Sequence, residues 1–285
     1  MKTKLLVITL AIAGIHFAGC DKDDDNILVT HSIEANFRSQ YPDAARVGWE
    51  SKNDYYVAGF QRNNTEAEAW YNTQGKWQMT ETDVRYTDLP QAVKTAFEQS
   101  EYPKWHIDDI DMLEYPDREA VYIIEVEQGN AEYDLWFSPD GVLVKSVPDS
   151  NNNNGSSNGN NSGSEHRPTT VIPTVKTFIT EKYPQARIVD IENEHGMLEI
   201  DIVDGYTPRE LIFSQSGEWV CTKTEIRKAD IPVLVLNAVS ASQYSSWRID
   251  DIDHYVTPTN EYYLLELEYG KSETNLKIDV NGNIL

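Results

Sequence analysis

The chain has 285 residues and only two cysteines, Cys20 and Cys221. A disulfide framework is excluded, although a chain this long can bury real cores without covalent staples. It is also poor in positive charge. Lys and Arg total 24 against 47 Asp and Glu, and the formal net charge is −23. That balance excludes nucleic acid and anionic lipid surfaces as partners, because both need a positive face. It remains compatible with divalent cations or a basic patch on another protein. After the run from Leu5 to Phe17 no long hydrophobic stretch occurs, so no later segment reads as a membrane span. The six histidines are dispersed, with no HExxH pair, and GxSxG, P-loop and GxGxxG patterns are missing. Acids are plentiful, but no two are singled out as the pair that glycoside hydrolysis needs. The chain therefore does not read as an enzyme.

What is present begins with MKTKLLVITLAIAGIHFAGC: Lys2 and Lys4, an apolar run, then Ala18, Gly19 and Cys20. Residues 1–19 read as a secretory signal. The ending Phe17-Ala18-Gly19-Cys20 resembles the bacterial lipobox, which implies cleavage before Cys20 and lipidation on it. Residues 20–27 form an acidic tether, in which Lys22-Asp23-Asp24 is similar to the surface-export signal of some Gram-negative lipoproteins. The implied location is the outer membrane, surface-exposed or periplasm-facing, with membrane contact through the lipid alone.

The rest of the chain repeats itself. Tyr41-Pro42 returns as Tyr183-Pro184, Leu89-Pro90 as Ile231-Pro232, Trp77 as Trp219, and Trp105-x-Ile107-Asp108-Asp109-Ile110-Asp111 as Trp247-x-Ile249-Asp250-Asp251-Ile252-Asp253, all at one offset. Two homologous domains explain this, at 28–148 and 171–285. Tyr41 and Tyr102 are as far apart as Tyr183 and Tyr244, so each domain divides into two half-units. Residues 149–170, DSNNNNGSSNGNNSGSEHRPTT, have no apolar side chain to bury and read as a flexible linker that lets the domains move independently.

Each half-unit opens on a helical pattern, such as Pro173, Val175, Phe178 and Ile179, or Pro90, Val93, Ala96 and Phe97. Proline disfavours helical geometry in the residue before it. The recurring phrases QYPDA, EYPKW, KYPQA and QYSSW therefore read as helix stops, with the fourth softer because Ser245 replaces proline. Alternating strands follow, among them YIIEVE, LEIDIVD and YYLLELEY, with hairpin signals at Asp140-Gly141, Ser216-Gly217 and Asn281-Gly282. The expected fold is α+β: two tandem domains, each made of two helix-plus-four-strand half-units, with helices packed on one face of an antiparallel sheet. The other face should be wet and acidic. The tandem half-units, Tyr-Pro stops and terminal hairpins resemble the PepSY-like domains of exported bacterial proteins, which share the architecture of the β-lactamase inhibitor protein. The resemblance implies a non-enzymatic binding protein with a protein partner, inhibitory toward a secreted enzyme, and in some members a response to calcium. It brings no catalytic residue.

Two groups of candidate site residues follow. Asp108, Asp109 and Asp111, with their repeats Asp250, Asp251 and Asp253, are clustered oxygens of the kind calcium takes. The same residues also serve as a charged strand edge that discourages edge-to-edge pairing, and strict alternation would separate Asp108 from Asp109 and Asp111. Calcium is the one cofactor expected. The second group comes from 16 Tyr and 7 Trp, types that favour interface centres. Trp77/Trp219 and Trp105/Trp247 repeat and read as architectural. Trp49, Trp70, Trp136 and Tyr56 do not repeat, and are the candidates for partner binding. Lys277 stands at the copy of Trp136, which points to a solvent-facing site. Exposed aromatics of this kind would also suit a glycan.

Overall fold

The computed structural model of the chain describes residues 29–148 and 166–285. The signal, Cys20, the tether and most of the linker lie outside the described residues. The first domain runs α1 (His31–Gln40), β1 (Ala45–Lys52), β2 (Tyr55–Arg62), β3 (Thr65–Asn72), β4 (Trp77–Asp83), α2 (Gln91–Gln99), β5 (His106–Glu114), β6 (Val121–Gln128), β7 (Ala131–Phe137) and β8 (Leu143–Pro148). The second runs α3 (Pro173–Lys182), β9 (Ala186–Glu194), β10 (Met197–Asp204), β11 (Thr207–Ser214), β12 (Trp219–Glu225), α4 (Val233–Ala241), β13 (Arg248–Val256), β14 (Glu261–Tyr269) and β15 (Ser272–Asp279). Each domain is one antiparallel meander in chain order, with eight strands in the first and seven in the second. The missing eighth strand is reduced to a single bridge, Ile278 to Ile284.

The strands alternate, and the helices take one side of them. Ile33 and Phe37 of α1 bury with Ala58, Phe60, Ala69 and Tyr71. Val93 and Phe97 of α2 bury with Ile110, Ile124, Leu135 and Phe137. In the second domain, Val175 and Ile179 pack on Ile200, Leu211 and Phe213, and Val235 and Val239 on Ile252, Leu265 and Ile278. Each buried Val, Leu, Ile or Phe among them contributes about 1.5–3 kcal/mol by leaving water.

The tyrosines after α1 and α3 explain their phrases. Tyr41 caps α1 through its N–H to the Phe37 carbonyl, and its hydroxyl meets Thr80 Oγ1 at 2.5 Å, where Trp77 Nε1 also donates. Tyr183, Thr222 and Trp219 repeat that arrangement. The stops of α2 and α4 work differently. Ser100 and Ser242 close these helices, each Oγ donating to a carbonyl in the last turn and accepting the N–H of Tyr102 or Tyr244. Ser245 in place of proline therefore does not soften α4, because the serine cap ends the helix first.

The face away from the helices departs from expectation. In the first domain it is not wet throughout. Val57, Trp70, Met79, Leu113, Tyr115, Val121, Ile123 and Trp136 form one buried cluster with Val189 and Val203 of the second domain. An ionic seam borders it. Lys145 Nζ lies 2.6 Å from Asp190, 2.9 Å from Glu192 and 3.1 Å from Asp201. Arg187 reaches Glu119 at 2.8 Å and Asp140 at 2.9 Å. Residues 166–170, read from composition as linker, take part: Thr169 donates to the Ile191 carbonyl and accepts from Arg118, and His166 sits edge-on to Trp136. The domains are docked rather than independent, because the apolar side chains that alternation leaves on the back of the first sheet must be covered.

Candidate functional site

The repeat makes the site visible by comparison. Pairing registers align Trp70/Met79 with Ile212/Cys221, Leu113/Val121 with Tyr255/Tyr262, and Ile123/Trp136 with Leu264/Lys277. The first-domain members are all 5 % exposed or less. In the second domain Ile212, Tyr255, Tyr262, Leu264 and Lys277 stay half-buried, with Cys221 beneath them. Tyr255 and Tyr262 stack with ring centroids 5.1 Å apart and planes 10° from parallel, and Lys277 Nζ lies 3.6 Å from the Tyr262 ring. The same sheet face is thus closed in one copy and open in the other, where it presents stacked aromatics, an aliphatic floor and a cation.

A second open surface lies on the helix side. Val233, Leu234 and Leu236 of α4 are exposed, as are Val280, Ile284 and Leu285 of the terminal turn. That turn lies against α4, since a Cβ on Gly282 would stand 3.0 Å from the Leu234 carbonyl oxygen. The corresponding positions of α2 are Gln91, Ala92 and Lys94.

The acidic halves of the two faces also differ. In the first domain Glu68 pairs across to Glu81, and Asp83 to Asp111. Burial, then the charges of Glu68 and Asp83, push Glu81 far above the carboxylate range; burial, then Glu81 and Asp109, do the same to Asp111. Lys52, 3.1 Å from Glu50 and from Glu68, opposes this at Glu81 without reversing it. In the second domain Lys223 stands in the place of Glu81, 3.5 Å from Asp253 and 3.6 Å from Glu210.

The six aspartates divide. A β-bulge between Ile107 and Ile110 breaks the alternation. Asp109 and Asp111 face Glu81 and Asp83, while Asp108 converges with His106 and Glu127. In the copy, Asp251 and Asp253 stay with Glu225 and Lys223, while Asp250 pairs with Arg248.

The expectation for Trp136 is corrected. Trp136 is buried, not solvent-facing: it fills the seam between the domains, with Trp70 in the same cluster. Trp49 packs edge-on to Phe37 at 5.4 Å on the helix side, where Tyr56 also lies. Trp70 and Trp136 are thus closed to a glycan, while Trp49 and Tyr56 stay half-buried on the helix side. No single-residue signal marks Tyr255 and Tyr262. The signal was in the repeat, at the copies of the residues that the first domain buries.

The sequence model of a family described as "Putative beta-lactamase-inhibitor-like, PepSY-like" matches residues 54–145, 161–207 and 198–285. The chain belongs to the PepSY-like family. Solved structures similar to this PepSY-like chain include a BLIP-like protein from Bacteroides fragilis, 34% identical, covering 52% of this chain and 100% of that one with a TM-score of 0.45. A DUF2874 family protein from Bacteroides ovatus is 34% identical, covering 42% and 88% with a TM-score of 0.40. Another DUF2874 family protein, from Bacteroides uniformis, is 26% identical, covering 44% and 93% with a TM-score of 0.41. No curated protein matches the chain. Among the described residues, no helix is long and apolar enough to cross a membrane.

Proposed function

We propose that this PepSY-like protein is an exported, lipid-anchored binding protein without catalytic activity, and that the open sheet face of its second domain recognises a protein. One observation carries the reading: the face that the first domain buries under Val189 and Val203 is uncovered in the second, with Tyr255, Tyr262, Leu264 and Lys277 upon it. Stacked tyrosines beside a cation give rigid contact area at low entropic cost, the composition of an interface centre. The family's inhibitor-like description supports a secreted enzyme as the class of partner. The signal and Cys20 support export and anchoring.

A photo-reactive residue placed at Tyr262 in living cells tests this. A discrete protein adduct is expected there, with none from an exposed control at Lys176 on α3. Absence of the Tyr262 adduct, or equal labelling from both positions, overturns the reading. An adduct from Leu234 alone moves the site to the α4 surface. With the partner in hand, Tyr262→Ala should weaken binding by at least about tenfold.

Calcium is a second reading, favoured by the carboxylates of Glu81, Asp83, Asp109 and Asp111 gathered in the first domain. Lys223 takes the place of Glu81 in the second, so one ion per chain is expected. Melting in millimolar calcium and in chelator tests it, since an ion at 100 times its dissociation constant adds about 2.7 kcal/mol. Coincident melts remove calcium from the account.

A further inference from the structure

Two carboxylates hold the same position in both domains, but the cation between them differs. In the second domain Arg248 opens β13 and donates to Asp250, two residues on, and to Glu268 directly across on β14. Those bonds hold the guanidinium above its usual range. In the first domain the acids are Asp108 and Glu127, and the residue opposite Glu127 is His106. The ligating atoms of His106, Asp108 and Glu127 all lie within 4.8 Å of one another.

The exchange of arginine for histidine changes what the pair of acids can hold. A guanidinium is a permanent cation with donors directed at both carboxylates. An imidazole is shorter, carries at most part of a charge at neutral pH, and offers a nitrogen lone pair instead. Two carboxylate oxygens and one imidazole nitrogen are a donor set for a borderline divalent cation. Calcium and magnesium take oxygen ligands in larger number, and the nitrogen disfavours them. Ligands about 2.0–2.2 Å from a tetrahedral zinc stand roughly 3.3 Å apart. His106 and Asp108 are exposed and Glu127 half-buried, so their side chains have room to turn toward a shared ion. The pairing of His106 with Glu127 fixes the backbone beneath them.

We propose that His106, Asp108 and Glu127 bind a divalent transition cation of the zinc type, with water in the fourth position, where the second domain uses Arg248. The site is distinct from the open face of the second domain and does not depend on the partner reading.

Titration of the purified full chain with zinc, followed by calorimetry, and with cobalt, followed by its visible spectrum, tests this. One saturating equivalent is expected, together with a shift of the His106 ring resonances. His106→Arg should install the ion pair of the second domain, keep the fold and abolish that equivalent. Asp108→Asn should weaken it. Arg248→His should add a second equivalent beside Asp250 and Glu268. Absence of saturable binding, or an equivalent that survives in His106→Arg, overturns the proposal. Failure of Arg248→His to gain a site overturns the argument from the copy on which it rests.

Discussion

Trp136 and Lys277 occupy one position in two copies of one fold, and their surroundings give them opposite roles. Trp136 is 5 % exposed in the seam between domains, while Lys277 lies over Tyr262 on an open face. Trp136→Ala should therefore cost about 3–5 kcal/mol, and Lys277→Ala no more than about 0.5 kcal/mol, both read from urea denaturation. The acidic pair beside that seam sets a pH dependence. Burial and neighbouring carboxylates push Glu81 up to about 8 and Asp111 up to about 9, whereas an unfolded chain releases both protons near pH 4. Between those limits the folded chain binds more protons, so stability falls as pH rises. The slope is at most about 1.4 kcal/mol per pH unit for each proton. Burial holds His166 down at about 4; a group lowered in this way acts oppositely, but only below its unfolded value near 6.5. Denaturation in chelator between pH 6.5 and 9 should thus show a steady loss, and Glu81→Gln should flatten it. A flat wild-type profile would contradict the half-buried, protonated pair.

At the scale of elements, the terminal hairpins clamp the helices. Gly141 follows β7 at φ +84°, and a Cβ there would stand 2.5 Å from the Ala92 carbonyl oxygen of α2. Gly129 has φ +70° with nothing within 4 Å. Alanine at either position meets the strain of a left-handed residue, about 1 kcal/mol. Only Gly141→Ala must also push α2 off the sheet, so its urea midpoint should fall at least twice as far as that of Gly129→Ala. These elements show what was legible in advance. Alternation in YIIEVE and helical spacing in Val93 and Phe97 are local properties, and they appear directly as β6 and α2. Alternation already parted Asp108 from Asp109 and Asp111, but the bulge between Ile107 and Ile110 was hidden, because an extra residue in one strand shows only against its partner. The closing of α4 by Ser242 was hidden beneath the louder Tyr-Pro pattern. The burial of Trp70 and Trp136 could not be read either, since composition does not tell a wet face from one covered by another domain.

At the scale of the whole molecule, Lys145 is the tie between domains. It is an ammonium among Asp190, Asp201 and Glu192, which push its pKa up despite burial. Lys145→Ala leaves Asp190 and Asp201 buried without it, at a cost of about 3–5 kcal/mol. A single calorimetric transition should then split into two, and small-angle scattering should report a longer particle. The positions of Asp190 and Asp201 are Gly48 and Gly59 in the first domain, while that of Glu192 is Glu50, so the first domain carries only one of the three acids that hold Lys145.

The same seam changes what the Asn-, Ser- and Gly-rich segment is for. Val189 and Val203 share one buried cluster with Trp70 and Trp136. Covalent continuity in that segment serves to keep the two halves at high local concentration while they find each other. A protease that severs it after folding should yield two bands under denaturing conditions and one particle of unchanged hydrodynamic radius otherwise.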